Sequence, residues 1–421
     1  MGAWLGTTNT RRSAIFREKG FVALLIISYF GGYTLAANAA LAPYLAADFG
    51  LSASEIARMF GWLAIGAIGT LFLTRAVDKL GRRNLLIGSL CFAAALAVAT
   101  AFAPSLRVYI LFQTTFSLFH GAVVATSIVM VTEYLPTDLR ARGHSIWVVA
   151  HVLGSGMAII LITVLRELNI ESEWRWIWGL SALVPICTLK YIVDSLSESD
   201  HFHSQQTTEA DHASWAELFQ GAYRRRSIAV ISADFAMVIA ASASLSYVFY
   251  YLIEVLSLTQ INVASIVIGG GTLGILGSPL GARAGDRFGR RNTIIVCSLL
   301  VMLCAIGFYL FRANGPFLVV GLLLLFSLMH GFGSAIRVCK QAVTTELFPT
   351  RHRATVQGIV VLVAAGASVL THFCVALLID YTGSLTSAII ALSLLRISVC
   401  IAYMFVPETR GMELKNAALD H

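Results

Sequence analysis

Residues 77–84 read VDKLGRRN and residues 285–292 read GDRFGRRN, so one charged, glycine-containing motif occurs twice in the chain. Two more pairs of segments recur at nearly the same offset, roughly 210 residues. They are FSLFHG (116–121) with FSLMHG (326–331), and TEYLPTDLRARG (132–143) with TELFPTRHRATVQG (345–358). Repetition at a fixed offset indicates duplicated structural units. We therefore predict two similar halves.

The composition indicates a membrane protein. Of 421 residues, 57% are hydrophobic and 13% are charged, and the mean hydropathy is +0.77. Soluble domains carry about 25% charged residues. A helix needs about 20 apolar residues to cross the hydrocarbon core, where every backbone polar group must be paired internally. The candidate stretches are 20–42, 56–76, 84–103, 107–132, 144–165, 176–194, 228–253, 262–282, 293–311, 317–343, 356–379 and 385–406. The prediction is an all-α fold with twelve transmembrane helices in two pseudo-symmetric six-helix bundles.

The predicted bundles are residues 1–194 and 227–421, joined by a cytoplasmic linker at 195–226. An even number of spans per half gives both halves the same orientation. The linker begins polar and acidic, and Trp215, Leu218 and Phe219 then favour a short interfacial helix. Its histidines match no standard metal-site spacing, so no metal is predicted. They are His201, His203 and His212.

The formal net charge of +7 would also suit a nucleic-acid-binding protein. However, most Lys and Arg residues fall in loops and span ends that alternate onto one side, which is the positive-inside pattern. The basic charge therefore reports topology, and no nucleic-acid partner is predicted. Both termini are expected in the cytoplasm, in a multi-pass protein of the inner membrane. The first apolar stretch is read as a retained span because it is too long for a signal peptide.

The repeated motif resembles the signature of the major facilitator superfamily, and the resemblance runs over roughly residues 20–414. The leading glycine of that signature is Thr74 in the first copy and Ala282 in the second. Acid-proline-arginine motifs and PETRGMEL (407–414) are similar to the branch of sugar porters, organic-ion transporters and aromatic-acid symporters. The resemblance implies a monomeric transporter without a cofactor, in which spans 1, 4, 7 and 10 line a central cavity that opens to either side in turn.

The charged residues of these motifs predict a cytoplasmic latch. Asp78 and Asp286 are expected near helix N-termini, where a carboxylate is stabilised by about 0.3–1 kcal/mol. Arginines beside Glu133 and Glu346 are expected to form paired hydrogen bonds that hold the two halves together. The latch arginines are Arg82, Arg140, Arg290 and Arg353. Simple positive-inside anchoring is the alternative, and it accounts for the arginines but not for the repeated acids.

Ionisable residues within spans are functional candidates, because burying them in a membrane is costly. His120 and His330 occupy matching positions in spans 4 and 10. Histidine titrates near neutral pH and so suits proton coupling, although a neutral, hydrogen-bonded histidine fits equally. Arg337 lies two helical turns after His330, on one stripe with Ser334 and Gln341.

Arg337 needs an anionic partner, which would be the substrate or Asp234 of span 7, whereas Lys340 is expected to extend toward the cytoplasm. The remaining candidates for substrate binding are Gln113, Ser117, Tyr33, Asn38 and Tyr247. Gln113 stands where sugar porters usually carry an arginine, and span 1 lacks the acid of aromatic-acid symporters.

Three other motif classes are rejected. The stretch 269–274 matches GxGxxG but lies inside span 8 without a preceding strand, so close helix packing is the better interpretation. The sequence shows neither a GxxxxGK[ST] loop nor a nucleophile–base arrangement, so we predict neither an ATP-driven pump nor an enzyme.

We predict a secondary active transporter for proton-coupled uptake of a small organic anion, a carboxylate. Arg337 would hold the anion, and His120, His330 or Asp234 would take the proton. The alternatives are a carrier or exporter of a sugar, an organic cation or a drug-like solute, and a membrane sensor that no longer transports.

Overall fold

The computed structural model describes residues 18–75, 81–136, 139–170, 173–198, 215–221, 223–348 and 350–410. Among these residues, twelve helices are long and apolar enough to cross a membrane, and no strand occurs. Spans 1 to 6 are Lys19–Ala40, Ala53–Thr74, Arg82–Ala101, Leu106–Tyr134, Arg142–Glu167 and Trp174–Ser195. Spans 7 to 12 are Tyr223–Val255, Gln260–Phe288, Arg290–Leu310, Pro316–Leu347, Thr355–Thr382 and Leu385–Met404. The twelve-helix prediction is confirmed.

Several spans are interrupted in ways that hydropathy does not predict. Span 7 ends in a π-helical turn at Tyr251–Val255, and span 8 contains another at Ser265–Gly269. Span 12 consists of two helical segments, Leu385–Ser393 and Arg396–Met404. Such interruptions change which side chains share a helix face, and π turns are frequent at functional sites.

The chain divides into two compact units. The first unit is Met1–Gly50 with Trp62–Glu209, and the second is Leu51–Gly61 with Ala210–His421. The beginning of span 2 groups with the second unit, where Arg58 forms an ion pair with Asp380 of span 11. Hydropathy locates a span but not the neighbours of its ends.

The last part of the predicted linker packs on the second unit. Trp215–Phe219 forms a 3₁₀ helix in which Leu218 is fully buried and Phe219 is exposed. Glu217 lies 3.3 Å from the ring Nε2 of His352. Span 7 then begins at Tyr223, within the segment predicted as linker. The histidines of the linker, His201, His203 and His212, lie outside the described residues.

Each unit buries several large aromatic side chains and leaves other apolar side chains exposed on the surface of its helices. Trp174 and Trp178 of span 6 are fully buried. Phe72 is 69% exposed and Leu377 is 67% exposed. Exposed apolar side chains carry no penalty where lipid is the solvent, so this pattern suits a membrane-embedded protein.

Glycines allow the closest helix contacts. A side chain at Gly277 of span 8 would overlap the backbone of Gly331 in span 10. Gly270 and Gly274 of the GxGxxG stretch likewise face span 10, where a Cβ would stand 3.3 Å from the Leu323 carbonyl oxygen or the Gly331 nitrogen. The packing interpretation of that stretch is confirmed.

Candidate functional site

A cavity of about 210 Å³ lies within the second unit, among spans 7, 9, 10 and 12. Its wall is largely apolar, with Met237, Met329 and Ile336 among the residues that form it. Five ionisable residues also line it: Asp234, His330, Arg337, Lys340 and Arg396. Of the described residues around this cavity, three are therefore cationic and one is a carboxylate.

The carboxylate of the cavity is paired with a lysine. Asp234 on span 7 is 2% exposed and forms an ion pair with Lys340 on span 10 through Oδ1. Its other oxygen, Oδ2, is buried without a hydrogen-bond partner among the described residues. The expectation that Lys340 extends toward the cytoplasm and the alternative of Asp234 as the partner of Arg337 are both wrong, because Lys340 pairs with Asp234. A buried carboxylate needs a cation, and the long flexible chain of Lys340 reaches it.

Arg337 is left available to a ligand. Its guanidinium donates a hydrogen bond to Ser334 Oγ at 2.7 Å and forms no ion pair among the described residues. The side chain lines the cavity and is exposed, whereas Ser334 is buried. Gln341, expected on the same stripe, is exposed and does not line the cavity.

His330 lines the same cavity as Arg337. Its Nδ1 lies 3.2 Å from the carbonyl oxygen of Phe326, one turn earlier in span 10. The two rings are in contact, with centroids 4.2 Å apart. The predicted stripe of span 10 thus contributes His330 and Arg337 directly and Ser334 through its bond to Arg337.

Tyr247 is engaged elsewhere in the second unit. It is 1% exposed, and its hydroxyl lies 2.8 Å from Nδ1 of His372 on span 11. The ring of Phe60 packs against both residues, at 5.6 Å from each centroid. His372 was missed by the sequence analysis, which considered only spans 1, 4, 7 and 10.

The other predicted substrate residues lie in the first unit and do not line this cavity. His120 Nε2 lies 3.2 Å from the carbonyl oxygen of Gly31, and its ring stacks on Phe116. These contacts match the alternative of a histidine bonded to a neighbouring helix.

Polar candidates of the first unit are also bonded within that unit. Gln113 is fully buried and donates to Thr100 Oγ1 at 3.0 Å. Tyr33 donates to the carbonyl oxygen of Ile177 at 3.1 Å. Asn38 donates to the Thr34 carbonyl oxygen at 3.3 Å, while its own Oδ1 is buried without a partner among the described residues. Ser117 is partly exposed and faces Gly66.

The latch residues form two equivalent ion pairs, each within one unit. Arg82 pairs with Glu133 in the first unit, and Arg290 pairs with Glu346 in the second. The pairing is as expected, but each pair joins neighbouring helices of one bundle, whereas the sequence analysis expected bonds between the two halves. Arg140 donates instead to the carbonyl oxygen of Leu135 at 3.3 Å.

The carboxylates at the helix N-termini are not the expected ones. Glu198 accepts from the backbone N–H of Arg82, and Glu408 accepts from that of Arg290, both at 2.8 Å. Asp286, expected in this position, is exposed near the end of span 8. Asp78 and the side chain of Arg353 lie outside the described residues.

Arg396 is the cavity residue that the sequence analysis passed over. It begins the second segment of span 12 and is 4% exposed. A charged residue in an apolar span was sufficient reason to consider it, as it was for Arg337. It was missed because span 12 was not expected to line a cavity.

Three His, Cys, Asp or Glu side chains placed to hold a metal do not occur together among the described residues. The cavity is lined instead by arginine and lysine side chains, which donate hydrogen bonds to oxygen anions.

The family of the chain is shown by a sequence match that extends over both halves. The model of the Major Facilitator Superfamily matches residues 22–371 and 273–419. The chain belongs to the Major Facilitator Superfamily. Its members are transporters, so the chain is a multi-pass membrane transporter of this superfamily.

Relatives within this superfamily cover most of the chain. A probable 4-methylmuconolactone transporter of Cupriavidus pinatubonensis is 25% identical over 389 residues, which is 89% of this chain and 87% of the relative. A gentisate transporter of Corynebacterium glutamicum is 24% identical over 365 residues, covering 84% of this chain and 78% of the relative.

Solved structures agree on the fold. An inward-open structure of the xylose transporter XylE from E. coli superposes with a TM-score of 0.70 at 18% identity. The superposition covers 94% of this chain and 98% of that one. The predicted helical fold class is therefore confirmed, and the family model confirms the superfamily resemblance.

Proposed function

We propose that this transporter works by alternating access and takes up a small organic anion, a carboxylate, together with protons across the inner membrane. The single observation that carries the proposal is the charge of the second-unit cavity, which three cationic residues and one carboxylate line. Burying uncompensated cations in an apolar wall is costly, and an anionic solute removes that cost.

The size of the cavity supports a compact substrate. Its volume is about 210 Å³. A cavity of about 150 Å³ is enough to hold a benzene ring. A ring with a few small substituents therefore fits, and two relatives have names that refer to gentisate and 4-methylmuconolactone, which are single-ring compounds.

Arg337 is the residue proposed to hold the carboxylate. It lines the cavity, it is exposed, and its hydrogen bond within the protein goes to a neutral hydroxyl, that of Ser334. A guanidinium presents donors in a fixed fork that matches the two oxygens of a carboxylate.

Asp234 is proposed to couple the proton to the anion. A proton on its unpartnered Oδ2 would remove the charge that holds Lys340, and Lys340 would then add its charge to the cavity. Proton binding would raise the affinity for an anion, and by linkage the anion would raise the affinity for the proton. That reciprocity favours movement of both in one direction.

The test is uptake into proteoliposomes of gentisate, benzoate, xylose and tetraethylammonium, with and without an inward proton gradient. Accumulation of an aromatic acid that depends on the gradient is expected. Arg337→Gln should weaken acid binding by about 10- to 100-fold, the value of a hydrogen-bonded charge. Arg107→Gln, at an exposed position in the first turn of span 4, is the matched control and should transport normally. Gradient-independent uptake of xylose alone would refute the proposal.

A further inference from the structure

Arg396 is a buried cation whose donors are not used. The side chain is 4% exposed, and its Nε and one of its η nitrogens are buried without a hydrogen-bond partner among the described residues. It lines the same cavity as Arg337 and Lys340.

Arg396 does not avoid the penalty of a buried, unpaired charge by losing its proton. The guanidinium remains charged in proteins and has no acceptor atoms. Each buried donor left unpaired carries the full penalty of its lost hydration. A partner that brings negatively charged oxygen atoms into the cavity removes this cost, so the unused donors point to a ligand.

The protein itself supplies one carboxylate to the cavity among the described residues. That carboxylate, Asp234, is paired with Lys340. With Asp234 ionised, Arg337 and Arg396 remain uncompensated, and with Asp234 protonated, Lys340 joins them. In both states at least two cations lack an anion. A monocarboxylate would neutralise one of them.

The two uncompensated arginines differ in solvent exposure. Arg337 is exposed, whereas Arg396 is almost fully buried. They also come from different helices, spans 10 and 12. Two uncompensated cations on different helices around one cavity suit a ligand with two acidic groups better than a ligand with one.

We propose that Arg396 is a second anion-binding residue, and that the preferred substrate is a compact dicarboxylate. One carboxylate lies at Arg337 and the other at Arg396, with the apolar wall around the carbon skeleton. This inference rests on the proposed function, because it refines the class of anion carried.

The experiment compares benzoate with the three benzene dicarboxylates in proteoliposomes near neutral pH, where all carboxyl groups are ionised. We expect at least one dicarboxylate to have a KM about tenfold or more below that of benzoate. Arg396→Gln should raise the KM for that dicarboxylate by about 10- to 100-fold and the KM for benzoate by less than about threefold. Arg396→Lys should recover part of the affinity, and Arg107→Gln should change neither KM.

The outcomes separate this inference from the proposed function. If Arg396→Gln lowers the maximal rate or the folded yield without separating the two substrates, Arg396 is structural and the inference is wrong. If benzoate uptake depends on Arg337 but no dicarboxylate is preferred, the inference is wrong and the proposed function stands. If neither monocarboxylates nor dicarboxylates are transported, both are wrong.

Discussion

Glu408 accepts a hydrogen bond at 2.8 Å from the backbone N–H of Arg290, the first residue of the helix in span 9. The residue before Arg290, Gly289, has φ 95°, and a Cβ there would collide with the Glu408 carboxylate. Gly81 stands in the same relation to Glu198 in the first unit, with φ 82°. In each unit, a carboxylate that follows the last span therefore caps the third helix, and the repeated glycine leaves room for it.

Removing either capping charge should lower stability. Glu408→Gln and Glu198→Gln keep the shape but lose the charge, which is worth about 0.3–1 kcal/mol at a helix N-terminus. We expect each to lower the midpoint of thermal unfolding in detergent by about 1–3 °C. Glu167→Gln is the control, because Glu167 is exposed at the C-terminal end of its helix. An equal decrease in the control would show that the capping geometry is not the cause.

The arginine and the glutamate of one ion pair should be energetically coupled to each other. Arg290→Met and Glu346→Gln each leave a partly buried charge without its partner, so the double variant should lose less stability than the sum of the single ones. The expected coupling is about 1–3 kcal/mol. Double-variant cycles of thermal unfolding in detergent measure it.

The comparison cycle combines Arg290→Met with Glu133→Gln. Those residues belong to separate pairs in separate units, so their effects should add. Coupling of Arg290 with Glu133 as strong as with Glu346 would restore a latch between the halves, as the sequence analysis expected.

Asp234→Asn should uncouple transport from the proton gradient. The variant cannot exchange a proton, so concentrative uptake should be lost, while exchange of labelled for unlabelled substrate across the membrane should persist. Asp234→Asn also leaves Lys340 without its partner, so the double variant with Lys340→Met serves to separate charge imbalance from loss of coupling.

His330→Gln is the comparison for Asp234, because His330 lines the same cavity. If His330→Gln abolishes concentrative uptake and Asp234→Asn does not, the proton site is the histidine. If neither change affects concentrative uptake, no residue of this cavity carries the proton.

The sequence predicts the fold well because hydropathy and internal repetition are properties of continuous segments. The twelve spans and the matching positions of Arg82 and Arg290 follow directly from such segments. The sequence does not predict which side chains of different helices contact each other. Asp234 pairs with Lys340, 106 residues away, and nothing in either segment favours Lys340 over Arg337, which lies one turn earlier.

Glu198 and Arg396 could not be predicted for the same reason. Glu198 lies 116 residues from the amide that it caps, and the surrounding SLSES lacks the proline of the corresponding stretch at Glu408. Arg396 was visible as a charge within a span, but its place in the cavity depends on a break between two helical segments of span 12. Distant pairing and helix interruptions are set by packing, which a single sequence does not specify.

Close packing of spans 8 and 10 gives a last prediction. A Cβ at Gly277 would overlap the backbone of Gly331, and backbone atoms cannot move aside as a flexible side chain can. Gly277→Ala should therefore push the helices apart and cost about 1–3 kcal/mol, seen as a lower yield of monodisperse protein and a lower unfolding midpoint. Gly271→Ala, in the same span, meets no atom within 4 Å and is the matched control. Since alanine has the higher helix propensity, the control should be neutral or slightly more stable. If both variants behave alike, direct contact between the two backbones does not hold these spans together.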